Sequence, residues 1–334
     1  MRSILIAAAG FLLAGTGNLV RAQVDPHVSQ YYLYPHFMNP GMTGVMNGDL
    51  RVSGIHRNQW SALGTPYVTT GFTADGTTSR NLNIGVSILN QTAGDAGFRY
   101  TTGYLSVAYT GVRWGTNNEH QLSFGLQGGL ISRRFDPSKL RMDDQWIPGI
   151  GYNPGLPTGD IFPVTNSAVL DMGAGVFYHN GSEDAAVQPY GGVSVFHLNR
   201  PADPFVSATD LPYIPLRLSA LGGVRLPLSE SITFIPHFLY LQQGTARELL
   251  LGAYGSVYVS ENTDFLVGAN YRINDAVTPF AGIRFGELTV GLSYDVTQSQ
   301  LSRLTRGVNS LELSLSWLVK KPRRNVPYFN CPRF

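Results

Sequence analysis

The sequence predicts an all-β fold, a transmembrane antiparallel β-barrel of about fourteen strands in an outer membrane. Two observations support this prediction. Apolar and polar residues alternate along many segments, and the links between segments are short when even-numbered, whereas the long links are odd-numbered. Alternation with a period of two is typical of a strand whose two faces meet different surroundings. The 334-residue chain has 14% charged residues, well below the roughly 25% of soluble domains.

The segment Leu311–Val319 shows the alternation most clearly. Leucine, tryptophan and valine occupy one parity, and Glu312, Ser314 and Ser316 occupy most of the other. The same pattern recurs in the segments 82–88, 122–130, 216–228, 265–272 and 288–296. The polar parity is rich in Gly, Ser, Thr, Asn and Gln, as in a crowded barrel interior, and the apolar parity suits a band that faces lipid.

Strands are predicted from Asp49 onward, in an even number as bacterial outer-membrane barrels require. The predicted spans are 49–58, 66–76, 80–90, 100–114, 119–133, 166–179, 185–197, 213–228, 231–243, 246–259, 263–273, 277–285, 287–297 and 308–319. Even-numbered links are short, and the odd-numbered links include the long ones, 59–65, 91–99, 134–165, 198–212 and 298–307. Short periplasmic turns and longer extracellular loops produce such an alternation.

Three segments lie outside the predicted barrel and differ from its strands in composition. Residues 1–22 carry a basic start, an apolar run and small residues before Gln23, so we predict a signal peptide cleaved near Ala22/Gln23, with a retained membrane anchor as the alternative. Residues 23–48 show aromatics, Pro and Gly without periodicity, which predicts a periplasmic or plug-like segment. The barrel follows over 49–319, and the basic tail 320–334 is expected in the periplasm.

Composition excludes several classes of function. The formal net charge of +2 falls to zero when Arg2 and Arg21 leave with the signal peptide, so no nucleic-acid partner is expected. The single Cys331 forms no intramolecular disulfide. The histidines show no close pair at ligand spacing, so we expect no metal or other cofactor. Ser194 and His197 stand three apart on a predicted strand and should point to opposite faces, so we expect no enzyme.

Several charged residues fall on the lumen parity, namely Arg217, Arg225, Arg272 and Arg284, with Asp295 and Glu312. These side chains could line an anion-selective pore or dock a polypeptide. Interior salt bridges are the interpretation we favour, because unpaired interior charge is costly.

The longest link, 134–165, is a second candidate feature. Loops of this length are usually functional. Trp146, Ile147 and Ile150 predict either an exposed apolar patch or a lid over the barrel mouth, and both suit a partner surface. Its acidic residues lack the spacing of a calcium loop.

At its N-terminal end the chain resembles the PorP/SprF family, outer-membrane proteins of the type IX secretion system. The stretches "QYYLYPHFMNPGMTG" and "HRNQWSALGTPYVT" carry the resemblance through Gln30, Tyr31, Asn39, Pro40, Gly44, Arg57, Gln59, Trp60, Gly64, Pro66 and Thr69. The late hairpins are also similar to the family at Tyr271, Arg272, Gly291, Tyr294, Asp295 and Leu301. Glu312 matches the Ser-His-Glu sequence that family members often carry, but the histidine is absent.

This resemblance implies a non-enzymatic component that helps secrete or anchor sorting-domain-bearing proteins at the cell surface by protein–protein docking, linked in gliding species to gliding motility. The implied partners are the periplasmic lipoprotein ring of the machinery, secreted proteins with C-terminal sorting domains, and outer-membrane lipid. The matched residues are interpreted as architectural or as partner contacts, with Tyr294 in a lipid-side girdle. A passive outer-membrane channel or small-molecule transporter is the alternative.

Overall fold

A computed structural model describes residues 25–60, 65–78, 81–160, 162, 164–182, 184–202, 213–298 and 309–320. Four features predicted from the sequence lie outside these residues: the signal peptide 1–22, Gly64, Leu301 and the tail from 321 onward with Cys331. Within the described residues, no helix has the length and apolar character needed to cross a membrane.

Fourteen antiparallel strands close into one barrel, which confirms the predicted fold class. The barrel strands are β1 (Leu50–Gln59), β2 (Tyr67–Gly76), β3 (Leu82–Ala93), β4 (Phe98–Trp114), β5 (His120–Arg134), β8 (Asn166–Asn180), β9 (Gln188–Phe196), β10 (Arg217–Pro227), β11 (Ile232–Gln243), β12 (Ala246–Ser260), β13 (Thr263–Arg272), β14 (Ala276–Phe285), β15 (Leu288–Thr297) and β16 (Asn309–Val319). The first strand pairs with the last, β1 with β16, and this pair is called the seam below. Two short strands, β6 (Trp146–Ile147) and β7 (Gly151–Tyr152), form a separate hairpin between β5 and β8.

The long links lie at one rim of the barrel, called the long-loop rim, and the opposite end is called the short-turn rim. The prediction of a long link at 91–99 is wrong, because β3 continues to Ala93 and β4 begins at Phe98. Gly94 and Gly97 adopt positive φ angles of 69° and 60°, which allow a tight turn there. The links 244–245 and 273–275 at this rim are short as well, so the alternation of link lengths is not strict.

The outer wall of the barrel is apolar. On β16, Leu311, Leu313, Leu315 and Trp317 are each about half exposed, whereas Glu312 and Ser314 are buried. At the short-turn rim, Trp114 stacks on His120 with ring centroids 5.4 Å apart, as in an interfacial aromatic girdle. The leucines of the alternating rows therefore face the surrounding lipid, and the polar parity faces the lumen.

The lumen is filled by residues 25–48, called the plug, which belong to the segment 23–48 predicted outside the barrel as a periplasmic or plug-like segment. The plug contains three 3₁₀ turns, Tyr31–Leu33, Pro35–Phe37 and Pro40–Met42. Its side chains at Tyr31, Tyr32, Leu33 and Tyr34 are buried against apolar residues of the inner wall. The plug begins near Arg217 at the long-loop rim and ends at the short-turn rim, where Asp49 N donates to Val319 O at 2.8 Å.

The turn at Asn39–Pro40 lies against a glycine surface on the inner wall. The Asn39 amide donates to Val176 O and Val193 O at 3.0 and 3.3 Å. A Cβ on Gly125 would lie 2.2 Å from the Pro40 carbonyl carbon, and one on Gly175 would lie 2.0 Å from Asn39 Oδ1. These strands therefore need glycine for the plug backbone to approach, rather than for curvature alone.

We predict that Gly125→Val destabilises the barrel by about 3 kcal/mol, because the new side chain overlaps the plug backbone. The measurement is the temperature at which the folded form is lost in detergent, read from heat-dependent gel mobility. Gly128→Val is the matched control on the same strand, since a Cβ at Gly128 meets nothing within 4 Å. Equal melting temperatures for the two variants would contradict this seating of the plug.

Candidate functional site

The candidate site is the plug together with the polar side chains that bind it to the barrel. Three groups of buried charges lie along its path: the rim cluster around Asp25, the central cluster around Glu312, and the lower cluster around Asp75. Each group combines plug atoms with side chains from two or more strands.

In the central cluster, Glu312 of β16 holds the plug backbone. Its Oε2 accepts hydrogen bonds from Ser29 N at 2.8 Å and from Arg57 Nη1 at 2.9 Å. Its Oε1 accepts from Gln30 N at 2.6 Å. Because Arg57 belongs to β1, one carboxylate joins both strands of the seam to the plug.

Asp295 of β15 completes the central cluster. Its Oδ2 accepts from Arg57 Nη2 and from Arg272 Nη2, both at 2.7 Å, and its Oδ1 accepts from Thr278 Oγ1 at 2.8 Å. Arg57, Arg272, Asp295 and Glu312 are each at most 3% exposed. Two cations and two anions compensate one another, which makes their burial tolerable, and removing one partner is expected to cost about 3–5 kcal/mol.

The rim cluster holds the start of the plug. Asp25 accepts hydrogen bonds from His197 Nε2, Tyr100 OH and Arg217 Nη1 at 2.9, 2.9 and 3.0 Å. His197 Nδ1 lies 2.9 Å from Asp171 Oδ1. Since both ring nitrogens face carboxylates, the imidazolium form is favoured.

The protonation of His197 follows from these contacts. Burial acts to lower its pKa, but the charge of Asp25 and the hydrogen bonds to Asp171 and Asp25 outweigh burial and raise the pKa to about 9. His197 and Arg217 together hold the pKa of Asp25 well below its usual range, although burial opposes them.

The lower cluster holds the end of the plug. Asp75 of β2 accepts from Gly44 N at 2.7 Å and from Arg51 Nη2 at 2.8 Å, and His36 Nε2 lies 3.1 Å from its Oδ2. Gly44 has a positive φ of 70°, and a Cβ there would lie 2.3 Å from Asn83 Cγ. The backbone at the end of the plug therefore requires glycine at position 44.

The plug fills the lumen of the described part of the barrel. Three cavities between the plug and the wall have volumes of about 10, 30 and 20 Å³, each room for no more than a water or two. His197 lines the first of these cavities and pairs with two acids, Asp25 and Asp171. Elsewhere on the inner wall, Ser194 Oγ donates to Met38 O of the plug at 2.6 Å.

The side-chain direction expected for His197 is wrong. It follows the end of β9, and its φ of 60° turns the ring into the lumen, where it is 1% exposed. Ser194 is also buried in the lumen. The two side chains bind different plug segments and do not form a nucleophile–base pair.

Residues of the family resemblance are distributed along the plug and its anchors. Asn39, Pro40 and Gly44 belong to the plug itself, and Arg57, Asp295 and Glu312 meet in the central cluster. Gln59 is buried, and its Oε1 lies 3.4 Å from Arg57 Nε. Three others lie near the long-loop rim, where Trp60 packs edge-on against Tyr67 at 5.3 Å, Pro66 precedes β2, and Tyr294 faces outward at 42% exposure.

The four predicted lumen arginines divide into two pairs. Arg217 and Arg272 bind the plug, through Asp25 and through Ser29 Oγ respectively. Arg225 donates to Gln188 Oε1 at 3.2 Å, and Arg284 forms an ion pair with Asp264, so both bind neighbouring wall residues.

Sequence reasoning missed Asp25, Asp75 and Asp171 as site residues. Asp75 and Asp171 lie on the lumen parity of their strands, so the rule that found the arginines could also have found them. Asp25 has no such signal, because the plug has no periodic pattern.

The closed barrel, its apolar outer wall and its bound plug define a plugged β-barrel of the outer-membrane class. The chain belongs to the PorP/SprF family, since the model of the type IX secretion system membrane protein PorP/SprF matches residues 20–317. The family resemblance predicted from the sequence is thereby confirmed. A comparison with curated protein sequences gives no significant match.

Among solved structures, the toluene transporter TbuX of Ralstonia pickettii is similar with a TM-score of 0.51 and 9% identity, over 86% of this chain and 94% of that one. The monoaromatic hydrocarbon channel CymD gives a TM-score of 0.49 and 10% identity, over 86% and 93% of the two chains. The toluene transporter TodX of P. putida gives 0.48 and 7%, over 85% and 93%. At such identities the likeness to TbuX concerns the fold alone, an outer-membrane barrel, which supports an outer-membrane location.

We predict that Glu312→Gln destabilises the folded barrel by about 3–5 kcal/mol, because an amide places a donor against Ser29 N, Gln30 N or Arg57. In planar bilayers the wild-type protein should be silent, and the variant should show intermittent conductance as the plug loosens. Glu287→Gln is the matched control, since Glu287 forms an exposed ion pair with Lys320 at 3.1 Å and its loss should cost under about 1 kcal/mol. Steady conductance of the wild type would contradict a sealed lumen.

The rim cluster predicts a pH dependence of stability. The pKa of His197 is raised from 6.5 to about 9, so its contribution is complete below pH 6.5 and is lost as the pH rises through 9. We expect the melting temperature of the wild type to fall over this interval, by the equivalent of about 1–3 kcal/mol. His197→Gln should lack this fall, and an identical fall in the variant would exclude His197 as its source.

Proposed function

We propose that this protein is a non-enzymatic outer-membrane component of the type IX secretion system that helps secrete or anchor sorting-domain-bearing proteins at the cell surface by protein–protein docking. The observation that carries the proposal is the filled lumen, in which buried ion pairs hold the plug in all three clusters. A barrel filled in this way offers its rims, rather than a pore, to other molecules. Membership of the PorP/SprF family supports partners within the secretion machinery.

The long-loop rim offers an apolar platform for a secreted domain. In the β6–β7 hairpin, Trp146 is 54% exposed and Ile150 is 80% exposed. The hairpin is held in shape by Gln145, whose side chain donates to Leu156 O and whose carbonyl accepts from Asn153 N, both at 2.9 Å. An ordered, exposed apolar patch rimmed by polar residues is typical of a protein-binding surface.

The opposite rim is assigned to the machinery. Lys320 follows β16 at the short-turn rim and is the last described residue, and the sequence after it is a basic tail without acidic residues. A short-turn rim in the periplasm would place this tail within reach of the periplasmic lipoprotein ring. The docking of cargo and machinery is thus proposed at opposite ends of one plugged barrel.

The passive-channel alternative is not favoured by the geometry. TbuX is a toluene transporter, but its likeness to this chain concerns the fold alone. A diffusive pathway here would require release of the plug from three buried clusters. The filled lumen therefore supports docking over diffusion.

We expect that cells lacking the gene fail to display at least one protein with a C-terminal sorting domain, as measured by surface proteomics. Complementation with the wild type should restore display. The double variant Trp146→Ser with Ile150→Ser should restore less than about a tenth of it, because exposed apolar anchors carry much of the energy of such interfaces.

The matched control is Ile273→Ser, an apolar residue 37% exposed in another link at the same rim. This variant should restore full display, with barrel levels in the membrane equal in all strains. Unchanged delivery of every sorting-domain protein in the deletion strain would refute the proposed function. Full display by the Trp146/Ile150 variant would refute only the assignment of the hairpin.

A further inference from the structure

Two arginines lie side by side on the outer face of the barrel at the long-loop rim. Arg99 is the second residue of β4 and Arg134 is the last residue of β5, and the two are direct cross-strand partners. Both side chains are exposed. Their neighbours Tyr100 and Arg133 are buried and interact within the lumen, where the Arg133 guanidinium lies 5.7 Å from the Tyr100 ring, so Arg99 and Arg134 point outward.

This pair carries uncompensated like charge. Directly opposed residues on neighbouring strands have Cβ atoms about 5 Å apart, and like charges there are destabilising. Within the described residues, no carboxylate forms an ion pair with Arg99 or Arg134. Nearby, Asp136 lies 4.0 Å from Lys139, and Asp95 accepts from Thr65. Lys139 also lies close to the β3–β4 turn, 3.7 Å from an ideal Cβ on Gly97, and so adds a further cation.

The wall beneath the pair carries a continuous row of polar side chains. One cross-strand row joins His56, Thr70, Asn90, Thr101 and Ser132, which are successive ladder partners on β1 to β5. His56 Nδ1 and Thr70 Oγ1 are 2.9 Å apart, and Thr101 Oγ1 donates to Asn90 Oδ1 at 3.0 Å. On the other side of the seam, His56 pairs with Leu313 and the row becomes apolar. Polar groups on a lipid-facing wall are expensive and indicate a specific neighbour.

We propose that this face, defined by Arg99, Arg134, Lys139 and the polar row, binds a phosphorylated glycolipid of the outer leaflet, of the lipid A type. The long-loop rim places the two arginines at headgroup depth, where paired guanidinium groups bind a phosphate through charge-assisted hydrogen bonds. Hydroxyl and amide side chains below them match the amide and hydroxyl groups that such a lipid carries at the top of its acyl chains. The lipid phosphate supplies the counter-charge that the described part of the chain does not.

The test measures binding of lipid A to the full-length protein in detergent micelles by native mass spectrometry. Diphosphorylated lipid A should bind the wild type at least about tenfold more tightly than the double variant Arg99→Gln with Arg134→Gln, because two charge-assisted contacts are lost. Arg99→Lys with Arg134→Lys should retain most of the affinity. Fully dephosphorylated lipid A should bind the wild type and the Gln variant equally.

Arg247→Gln is the matched control, because Arg247 is also the second residue of its strand, exposed at the same rim on the opposite wall. Its affinity for lipid A should stay within about twofold of the wild type. Heat-dependent gel mobility confirms that each variant is folded. Three results would overturn the proposal: equal affinity of the Gln variant and the wild type, displacement of lipid A by millimolar inorganic phosphate, or equally tight Arg-dependent binding of polyglutamate.

Discussion

The hydrogen bonds from the plug backbone to the Glu312 carboxylate are the interaction on which the rest of the structure depends. A single carboxylate accepts from two successive amides of the plug and from an arginine of the opposite seam strand, all within 2.9 Å. These groups are buried from both water and lipid, so each donor has to be satisfied inside the protein. Asp295 and Arg272 neutralise the remaining charge, and the central cluster becomes a single unit that neither the barrel nor the plug possesses alone.

The plug and the barrel are therefore complementary parts of one core. Aromatic side chains of the plug take the place that water would occupy in an open pore, and the glycine surface of β5, β8 and β9 lets the Asn39–Pro40 turn approach the wall. An apolar exterior and a polar, filled interior invert the arrangement of a soluble protein. The surfaces left accessible are the rims and the outer wall, where the exposed hairpin and the paired arginines lie.

Much of the barrel can be predicted from sequence. Alternation of period two is unambiguous where one face of a strand carries only apolar residues and the other only polar or small residues, as on β16 and β15. The prediction of strand ends fails at Gln91–Ala93, where β3 continues beyond the apolar alternation, and at residues 213–216, which precede β10. The plug's path is not predictable in this way. Ser29 and Glu312 are 283 positions apart, and no local pattern connects them. The direction of the His197 side chain was predicted wrongly for a different reason. Its left-handed backbone conformation turns the side chain to the face opposite to the one that strand alternation predicts.

The path of the plug has a consequence for biogenesis. The first described residues occupy the lumen, and their central acceptor is carried by the strand that the ribosome produces last. Because Glu312 belongs to β16, the central cluster forms only when that strand is in place, so closure of the seam and anchoring of the plug depend on the same strand. A copy without β16 would therefore lack both the strand that closes the barrel and the carboxylate that binds the plug backbone.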